Sequence, residues 1–192
     1  MRIFISGGCK NGKSTYAQRI AKRQNKHPNP LYYIATMSAT DGEDMERINR
    51  HRKERDGWGF ATIEQPLNIA KILQKCDRDG SFLLDSLTAL LANEMFSPSG
   101  KFDENACNRI AAEMSKVLSE IHNIVIVSDY IYSDAFVYDP LTEAYRKSLA
   151  ALDCLTAKYC DVVLEAAYAQ ITAHKGEDLF AKTFGEASYA IH

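Results

Sequence analysis

Residues Gly7–Ser14 read GGCKNGKS, which has the spacing G-x-x-x-x-G-K-S of a phosphate-binding loop. Glycine lets such a backbone curl its N–H groups around phosphate oxygens, and a following helix N-terminus adds a partial positive charge. Lys13 would then reach the β- and γ-phosphates, and Ser14 would ligate Mg²⁺. The alternative is a glycine-rich turn that matches this motif by chance. The pattern predicts a nucleoside triphosphate site made by Gly7, Gly8, Cys9, Lys10, Asn11, Gly12, Lys13 and Ser14.

Magnesium bound in this way needs a second protein ligand, which is usually a carboxylate where a buried strand ends. Asp85 ends the apolar run FLLD and is the preferred candidate. Asp129 ends the run IVIVSD and is the competitor, and either aspartate could instead cap a helix. We therefore predict a Mg²⁺ site between Ser14 and Asp85.

A histidine in the polar segment Asp41–Trp58 is a second candidate for chemistry. Arg47 and Arg55 stand four residues before and after His51, which places them on its face of a helix. Neighbouring cations lower the pKa of an imidazole and keep it neutral and nucleophilic near pH 7. A neutral imidazole could attack an α-phosphate and form a nucleotidyl-histidine. The alternative is a solvated helix on which His51 has no special role.

Short apolar runs alternate with helical patterns along the whole chain, and this order positions the candidate residues. The alternation predicts an α/β, three-layer P-loop NTPase-like fold with a mostly parallel central sheet. The predicted strands are Arg2–Ser6, Leu31–Thr36, Ser81–Leu84, Ile124–Ser128 and Val162–Ala166. The predicted helices are Lys13–Gln24, Leu67–Lys75, Asp103–His122 and Leu141–Tyr159. The residues after Lys175 and Gly176 give no clear signal.

Composition sets the class of protein. The chain has 192 residues, 46% hydrophobic and 25% charged, with a net charge of −2. These values predict one folded domain over residues 1–192, and they argue against a disordered chain and against a general basic field for nucleic acid or membrane. No apolar run approaches the length of a membrane span. The five cysteines are scattered, which favours a reducing cytoplasm over a disulfide scaffold.

Four segments resemble, in the same order, the bifunctional adenosylcobinamide kinase/adenosylcobinamide-phosphate guanylyltransferase family of cobalamin biosynthesis. They are IFISGGCKNGKSTYA, LYYIATM, the stretch from Met45 through Glu64 with its R-I-x-x-H pattern, and FLLDSLTALLANEMF. His51 stands at the position of the family's guanylylated histidine. The family usually has Glu where this chain has Asp85, which keeps the carboxylate.

The resemblance is strong from Met1 to about Ser97 and weaker beyond. Where the family commonly has an Asn-Glu-Val-Gly run, this chain has Asp129-Tyr130-Ile131-Tyr132. The family's Asn-Gln pair on its long helix corresponds to Asp153-Cys154, whereas Arg146 fits a retained position. These departures bear on corrinoid contacts and subunit packing more than on nucleotide binding.

The resemblance implies two reactions: phosphorylation of adenosylcobinamide by ATP or GTP, and transfer of GMP from GTP through guanylyl-His51. It also implies a homotrimer and a small-molecule corrinoid partner. Composition predicts no nucleic-acid partner and no membrane span. Lys13 and His51 are the catalytic candidates. Further nucleotide-binding positions are Ala35, Thr36, Met37, Arg52, Lys53, Glu54, Arg55 and Glu64. Two alternatives stay open at this point: a P-loop kinase of another small metabolite, and a non-catalytic nucleotide-binding switch.

Overall fold

A seven-stranded sheet forms the centre of the computed structural model, which describes residues 1–38, 46, 53, 56–96, 101–185 and 189–191. The strands are β1 (Arg2–Gly7), β2 (Leu31–Ala35), β3 (Phe60–Glu64), β4 (Ser81–Asp85), β5 (Ile124–Asp129), β6 (Val162–Ala167) and β7 (Gln170–Lys175). Their order across the sheet is β3-β2-β4-β5-β1-β6-β7. Every pairing is parallel except that of β6 with β7. The predicted mostly parallel sheet is confirmed.

Helices connect the strands and cover both faces of the sheet. Those of the described residues are α1 (Lys13–Gln24), α2 (Ile72–Lys75, preceded by a 3₁₀ turn at Ile69–Lys71), α3 (Leu87–Met95), α4 (Ala106–Glu120), α5 (Pro140–Tyr159) and α6 (Glu177–Phe184). None of them combines the length and the apolar character needed to cross a lipid bilayer.

The core has two halves, one on each face of the sheet. Alternating side chains of β1 point to opposite faces, so Phe4 packs under α2 to α5 while Ile3 and Ile5 pack under α1 and α6. The helices α1 and α6 meet β1 and β6 through Ile20 and Phe180, both of them buried. The result is the predicted three-layer arrangement, with helices on both faces of the sheet.

The sequence patterns do not predict several elements near the sheet edges. The edge strand β3 has no fully buried residue, and the polar, antiparallel edge strand β7 buries only Ile171. The turn into β7 uses Tyr168 and Ala169 at positive φ, without the glycine or asparagine that usually marks a tight hairpin. The helical prediction over Leu67–Lys75 shortens to a 3₁₀ turn and α2, since Asn68 before them is left-handed. Helix α6 lies in the region where the sequence patterns carry no clear signal.

Strand order brings the predicted site to one edge of the sheet. The chain leaves β1 for β2, which lies beyond β5 and β4, whereas β6 is added on the other side of β1. Ligands of such sheets bind at the carboxyl ends of the strands around this change of direction. Gly7 pairs with Asp129 there, and Ala35 pairs with Asp85 and Glu64. The candidate residues therefore share the carboxyl edge.

Candidate nucleotide and metal site

The loop between β1 and α1 has the backbone of an anion site. Gly12 is left-handed, with φ +85°, at the position that caps α1, and Lys10 is left-handed with φ +57°. The cap gives no side-chain acceptor, and the first turn of α1 carries no acidic residue. The N-terminal N–H groups and the positive end of the helix dipole therefore favour an anion. Gly8, Cys9 and Lys10 are exposed, so the loop is open to a ligand.

Gly7 and Asn11 fix the loop against the sheet. A Cβ added at Gly7 would lie 2.4 Å from the Ala166 carbonyl oxygen and 2.7 Å from Asn11 Nδ2. Asn11 Nδ2 donates to that same Ala166 oxygen at 2.5 Å, and Asn11 Oδ1 accepts from the Lys13 backbone N–H at 3.2 Å. Glycine is thus required at Gly7 by close approach. Asn11, predicted to contact nucleotide, anchors the loop to β6 with its side chain.

Lys13 lies inside the loop rather than in solvent, its side chain only 6% exposed. Its Nζ donates to the Gly8 carbonyl oxygen at 2.9 Å and to Asp129 Oδ1 at 2.5 Å. A buried ammonium group needs such partners because burial removes its hydration. Asp129, the weaker sequence candidate for the metal, is therefore the ion-pair partner of Lys13 in this structure.

Asp85 lies beside Ser14, as the preferred sequence candidate should. Its Oδ1 accepts from Ser14 Oγ at 3.4 Å, and its Oδ2 accepts from the Tyr33 hydroxyl at 2.7 Å. Adjacent ligands of an octahedral Mg²⁺ lie about 3 Å apart, so this pair of oxygens fits one edge of the ion's shell. Within the described residues no group of three or more histidine, cysteine or carboxylate side chains forms a metal cage. The donor set therefore suits Mg²⁺ that takes its other ligands from phosphate and water.

Thr36 follows β2 and does not face the loop. It is fully buried, its hydroxyl donates to the Ser86 carbonyl oxygen, and the same hydroxyl accepts from the Ser86 N–H, each at 2.7 Å. Its backbone N–H donates to the Asp85 carbonyl oxygen, and its own carbonyl oxygen accepts from Asn93 Nδ2. The polar atoms of Thr36 thus join β2 to the start of α3, and its nucleotide contact stays a prediction. Ala35 and Met37 beside it are partly buried.

The candidates between β2 and β3 are only partly described. Lys53 has helical backbone and is exposed, and Glu64 is exposed at the end of β3. His51, Arg52, Glu54 and Arg55 lie outside the described residues, as does Arg47. The strand pairings place Glu64 four strands from β1 at the same sheet edge.

A buried polar cluster supports the end of β5. Thr88 Oγ1 accepts from the Asp129 backbone N–H at 2.7 Å and lies 3.4 Å from Ser128 Oγ. Asp153 is 3% exposed, and its Oδ2 accepts from the Tyr132 hydroxyl at 2.8 Å. Burial raises the pKa of Asp153 to about 6; Ser128 and Tyr132 act in the opposite direction. Asp153 Oδ1 nevertheless has no hydrogen bond of normal geometry to Ser128 or to any other described residue.

Arg146 holds the connection that follows β5. It is 8% exposed and forms ion pairs with Asp134 at 2.9 Å and Glu143 at 2.6 Å, with its guanidinium over the Tyr138 ring. It also donates to the carbonyl oxygen of Ile131. Sequence reasoning kept Arg146 as a retained position but could not assign this role, and it missed Tyr33 and Thr88. A buried tyrosine hydroxyl needs a polar partner, which was the available signal for Tyr33.

The chain matches the model of the CobU family, described as cobinamide kinase / cobinamide phosphate guanyltransferase, over residues 3–170. The chain belongs to this family. The match extends well past Ser97, so the weaker resemblance of the later part does not mark the end of the family domain.

Curated relatives of the family show similarity over part of their length. A bifunctional adenosylcobalamin biosynthesis protein CobP of Pseudomonas aeruginosa is 40% identical over 94 residues, 48% of this chain and 52% of the relative. The CobU proteins of Escherichia coli and Salmonella typhimurium are 26% and 30% identical over 65% and 59% of this chain. They are covered over 66% and 60% of their own lengths. The chain thus spans between about half and two thirds of these relatives.

Solved structures confirm the fold class. A KaiC-like protein of Pyrococcus horikoshii OT3 superposes with a TM-score of 0.53 at 11% identity, over 91% of this chain and 78% of that one. A second solved structure, an isolated ATPase domain, gives a TM-score of 0.51 at 10% identity, over 92% of this chain and 77% of that one. At such identities the likeness is one of fold alone, and the fold is that of a P-loop NTPase.

The metal site generates a test that compares two aspartates. Asp85→Asn should raise the Mg²⁺ concentration for half-maximal nucleoside triphosphate binding roughly 10- to 100-fold, since it removes a charged oxygen beside Ser14. Asp129→Asn should leave this midpoint within about twofold. A Mg²⁺ titration of nucleotide binding, followed by fluorescence of a labelled nucleotide, measures both. The opposite ranking would assign the metal to Asp129.

The buried Asp153 generates a test by pH. A carboxyl pKa of about 6 in the folded protein and 3.8 in the unfolded chain means that the folded state holds the proton more tightly. Its contribution to stability is fully present below pH 4 and is lost as the pH rises through 6. Asp153→Asn, neutral at every pH, should therefore gain on the parent by up to about 3 kcal/mol between pH 4 and 8. Urea unfolding across this range tests it; a difference independent of pH would contradict it.

Proposed function

We propose that the chain is a bifunctional enzyme that phosphorylates adenosylcobinamide and then converts the product to adenosylcobinamide-GDP. One observation carries the proposal: a chain of the cobinamide kinase / guanyltransferase family assembles Lys13, Ser14 and Asp85 around one phosphate-binding loop. One domain over residues 1–192 would perform both reactions.

In the first reaction the γ-phosphoryl group of ATP or GTP passes to a hydroxyl of adenosylcobinamide. Phosphoryl transfer depends mainly on positioning and on neutralising charge. The N–H groups of the loop and Lys13 Nζ would bind the phosphates. Ser14 and Asp85 would hold Mg²⁺, which neutralises charge on the phosphates when it is bound.

In the second reaction the His51 imidazole attacks the α-phosphorus of GTP and pyrophosphate leaves. The phosphate of adenosylcobinamide phosphate then attacks the same phosphorus, and the histidine–phosphorus bond breaks. The covalent intermediate divides one displacement into two easier ones. Arg52, Lys53 and Arg55, with Glu54 among them, would bind the incoming nucleotide, and Arg47 and Arg55 would keep the imidazole neutral.

Sheet geometry favours separate places for the two nucleotides. Glu64 is our candidate partner for guanine or ribose, and it ends β3, four strands from β1. Neighbouring strands lie about 4.8 Å apart, so Glu64 and the loop are separated by about 19 Å along the edge. A nucleotide whose phosphates occupy the loop would therefore leave the Glu64 end of the edge available. In the sequence, His51 lies between β2 and β3, the two strands on that side of the sheet.

The proposal also covers the location, oligomeric state and partners of the enzyme. We infer a cytoplasmic homotrimer with a corrinoid and nucleoside triphosphates as its small-molecule partners, and with no nucleic acid. All five cysteines lie in the described part of the chain, and none forms a disulfide bond there.

A kinase of another small metabolite is the second candidate. It is favoured by the run Asp129-Tyr130-Ile131-Tyr132 and by the buried Asp153, which differ from the residues the family commonly has there. Such a kinase would use the same loop and metal residues and would lack the guanylyl step. A non-catalytic nucleotide switch would need neither an acceptor substrate nor His51.

Two matched variants test the proposal. His51→Ala should abolish the mass increase of one GMP that the parent shows with Mg²⁺ and GTP, and should halt formation of adenosylcobinamide-GDP. It should keep a substantial fraction of the kinase rate, because His51 takes no part in that step. Lys13→Ala should lose kinase activity by orders of magnitude, because the cation at the β- and γ-phosphates is gone.

Intact mass spectrometry and a labelled-phosphate assay separate the alternatives. The adduct should be labile to acid and stable to base, as a phosphoramidate is. A parent protein that phosphorylates a small acceptor but never takes up GMP would favour the plain kinase. Neither product would favour the switch, and a guanylylated His51→Ala protein would move the nucleophile elsewhere.

A further inference from the structure

Asp129 is a carboxylate at the centre of the site that neither proposed reaction has used. It is the last residue of β5, the strand between the loop strand β1 and the Asp85 strand β4. Its backbone is held on both sides: its N–H donates to Thr88 Oγ1 at 2.7 Å, and the next N–H, that of Tyr130, donates to the Gly7 carbonyl oxygen at 2.9 Å. The position of its side chain is therefore fixed by the sheet.

The two carboxylate oxygens of Asp129 have different surroundings. Oδ1 accepts from Lys13 Nζ at 2.5 Å, whereas Oδ2 has no donor among the described residues. The side chain is 23% exposed, against 6% for Lys13. One oxygen is thus held by the loop lysine, and the carboxylate remains partly open to solvent.

Lys13 links this carboxylate to the reacting phosphate. A loop lysine contacts the β- and γ-phosphates, and a charged hydrogen bond of this kind is about 2.8 Å long. Asp129 Oδ1 would then lie within about 5 Å of a phosphate oxygen bound to Lys13. An attacking hydroxyl oxygen approaches to about 3 to 3.5 Å from phosphorus, within hydrogen-bond reach of a carboxylate so placed.

The neighbouring carboxylate is already engaged. Asp85 faces Ser14 and Tyr33, on the metal side of the loop, and Asp129 faces the lysine side. The two strand-end carboxylates therefore have separate partners, and proton transfer and metal binding need not compete for one group.

We propose that Asp129 is the general base of the phosphoryl-transfer reaction, a role that rests on the proposed kinase activity. The acceptor O–H bond breaks and its proton passes to Asp129 Oδ2, while the acceptor oxygen forms a bond to the γ-phosphorus. The bond from that phosphorus to the bridging oxygen of the β-phosphate breaks, and the nucleoside diphosphate leaves with the bonding electrons. Asp129 then releases the proton to solvent, to which its side chain is open.

The test compares Asp129→Asn with the matched control Asp79→Asn, an exposed aspartate in the turn before β4, at the opposite edge of the sheet. The full chain is assayed with Mg²⁺, ATP and adenosylcobinamide for phosphoryl transfer, and with labelled nucleotide for affinity. Asp129→Asn should lower kcat about 100-fold or more, the scale of general-base catalysis, with nucleotide affinity within about threefold of the parent. Asp79→Asn should match the parent in both.

Chemical rescue distinguishes proton transfer from support of Lys13. Asp129→Ala with added formate should regain at least tenfold in kcat at unchanged nucleotide affinity, because formate can occupy the space and accept the proton. Guanylylation by GTP should proceed at the parent rate in both Asp129 variants, since that reaction does not use this carboxylate. Unfolding temperatures near the parent value show that the variants are folded; for a misfolded Ala variant, the Asn variant alone decides.

Three results would overturn the inference. Parent-like kcat in Asp129→Asn would show that no base is needed there. A loss of nucleotide affinity equal to the loss of rate would assign Asp129 to holding Lys13. A parent that guanylylates but does not phosphorylate would remove this inference together with the kinase half of the proposed function, whereas the first two results leave that function intact.

Discussion

The buried ammonium group of Lys13 is the interaction on which the site depends. Taking a cation out of water costs several kcal/mol unless partners replace its hydration, and here they are the Gly8 carbonyl oxygen and the Asp129 carboxylate. The first partner requires the loop to curl back over Lys13, which Gly12 permits by its left-handed backbone. The second requires β5 to end beside β1. A bound triphosphate would offer Lys13 the same kind of negative partner, so the loop is prepared for its ligand.

Strand order brings the other residues of the site to the partners of Lys13. Because β5 lies between β1 and β4, the loop lies across the ends of two strands that each finish in an aspartate. One aspartate meets the loop lysine and the other meets the loop serine. Thr88, from the helix after β4, fixes the end of β5, so the two carboxylates are positioned by a shared set of contacts. A change in the packing of α3 would therefore disturb both.

The parts of the site that sequence predicted are those with a local signal. The loop Gly7–Ser14 can be recognised because its strand, loop and helix are consecutive in the sequence. Buried parallel strands such as β4 and β5 can be recognised as apolar runs. Which aspartate meets Ser14 and which meets Lys13 depends on strand order, which no local pattern contains. The side-chain partners of Thr36 and Asn11 are also long-range: their closest contacts are Ser86 and Ala166. For the same reason β7 and α6, which form a polar edge of the sheet and its cover, carried no signal before the fold was known.

A crystal structure with Mg²⁺ and a non-hydrolysable GTP analogue tests the central claim most directly. The account predicts the triphosphate in the curl of Gly7–Ser14, the metal on Ser14 Oγ and near Asp85, and Lys13 Nζ donating to the β- and γ-phosphate oxygens while it stays bonded to Asp129 Oδ1. Asp129 should keep its backbone bond to Thr88 and face the γ-phosphate. A triphosphate bound elsewhere, or a metal coordinated at Asp129 with Asp85 uninvolved, would contradict it.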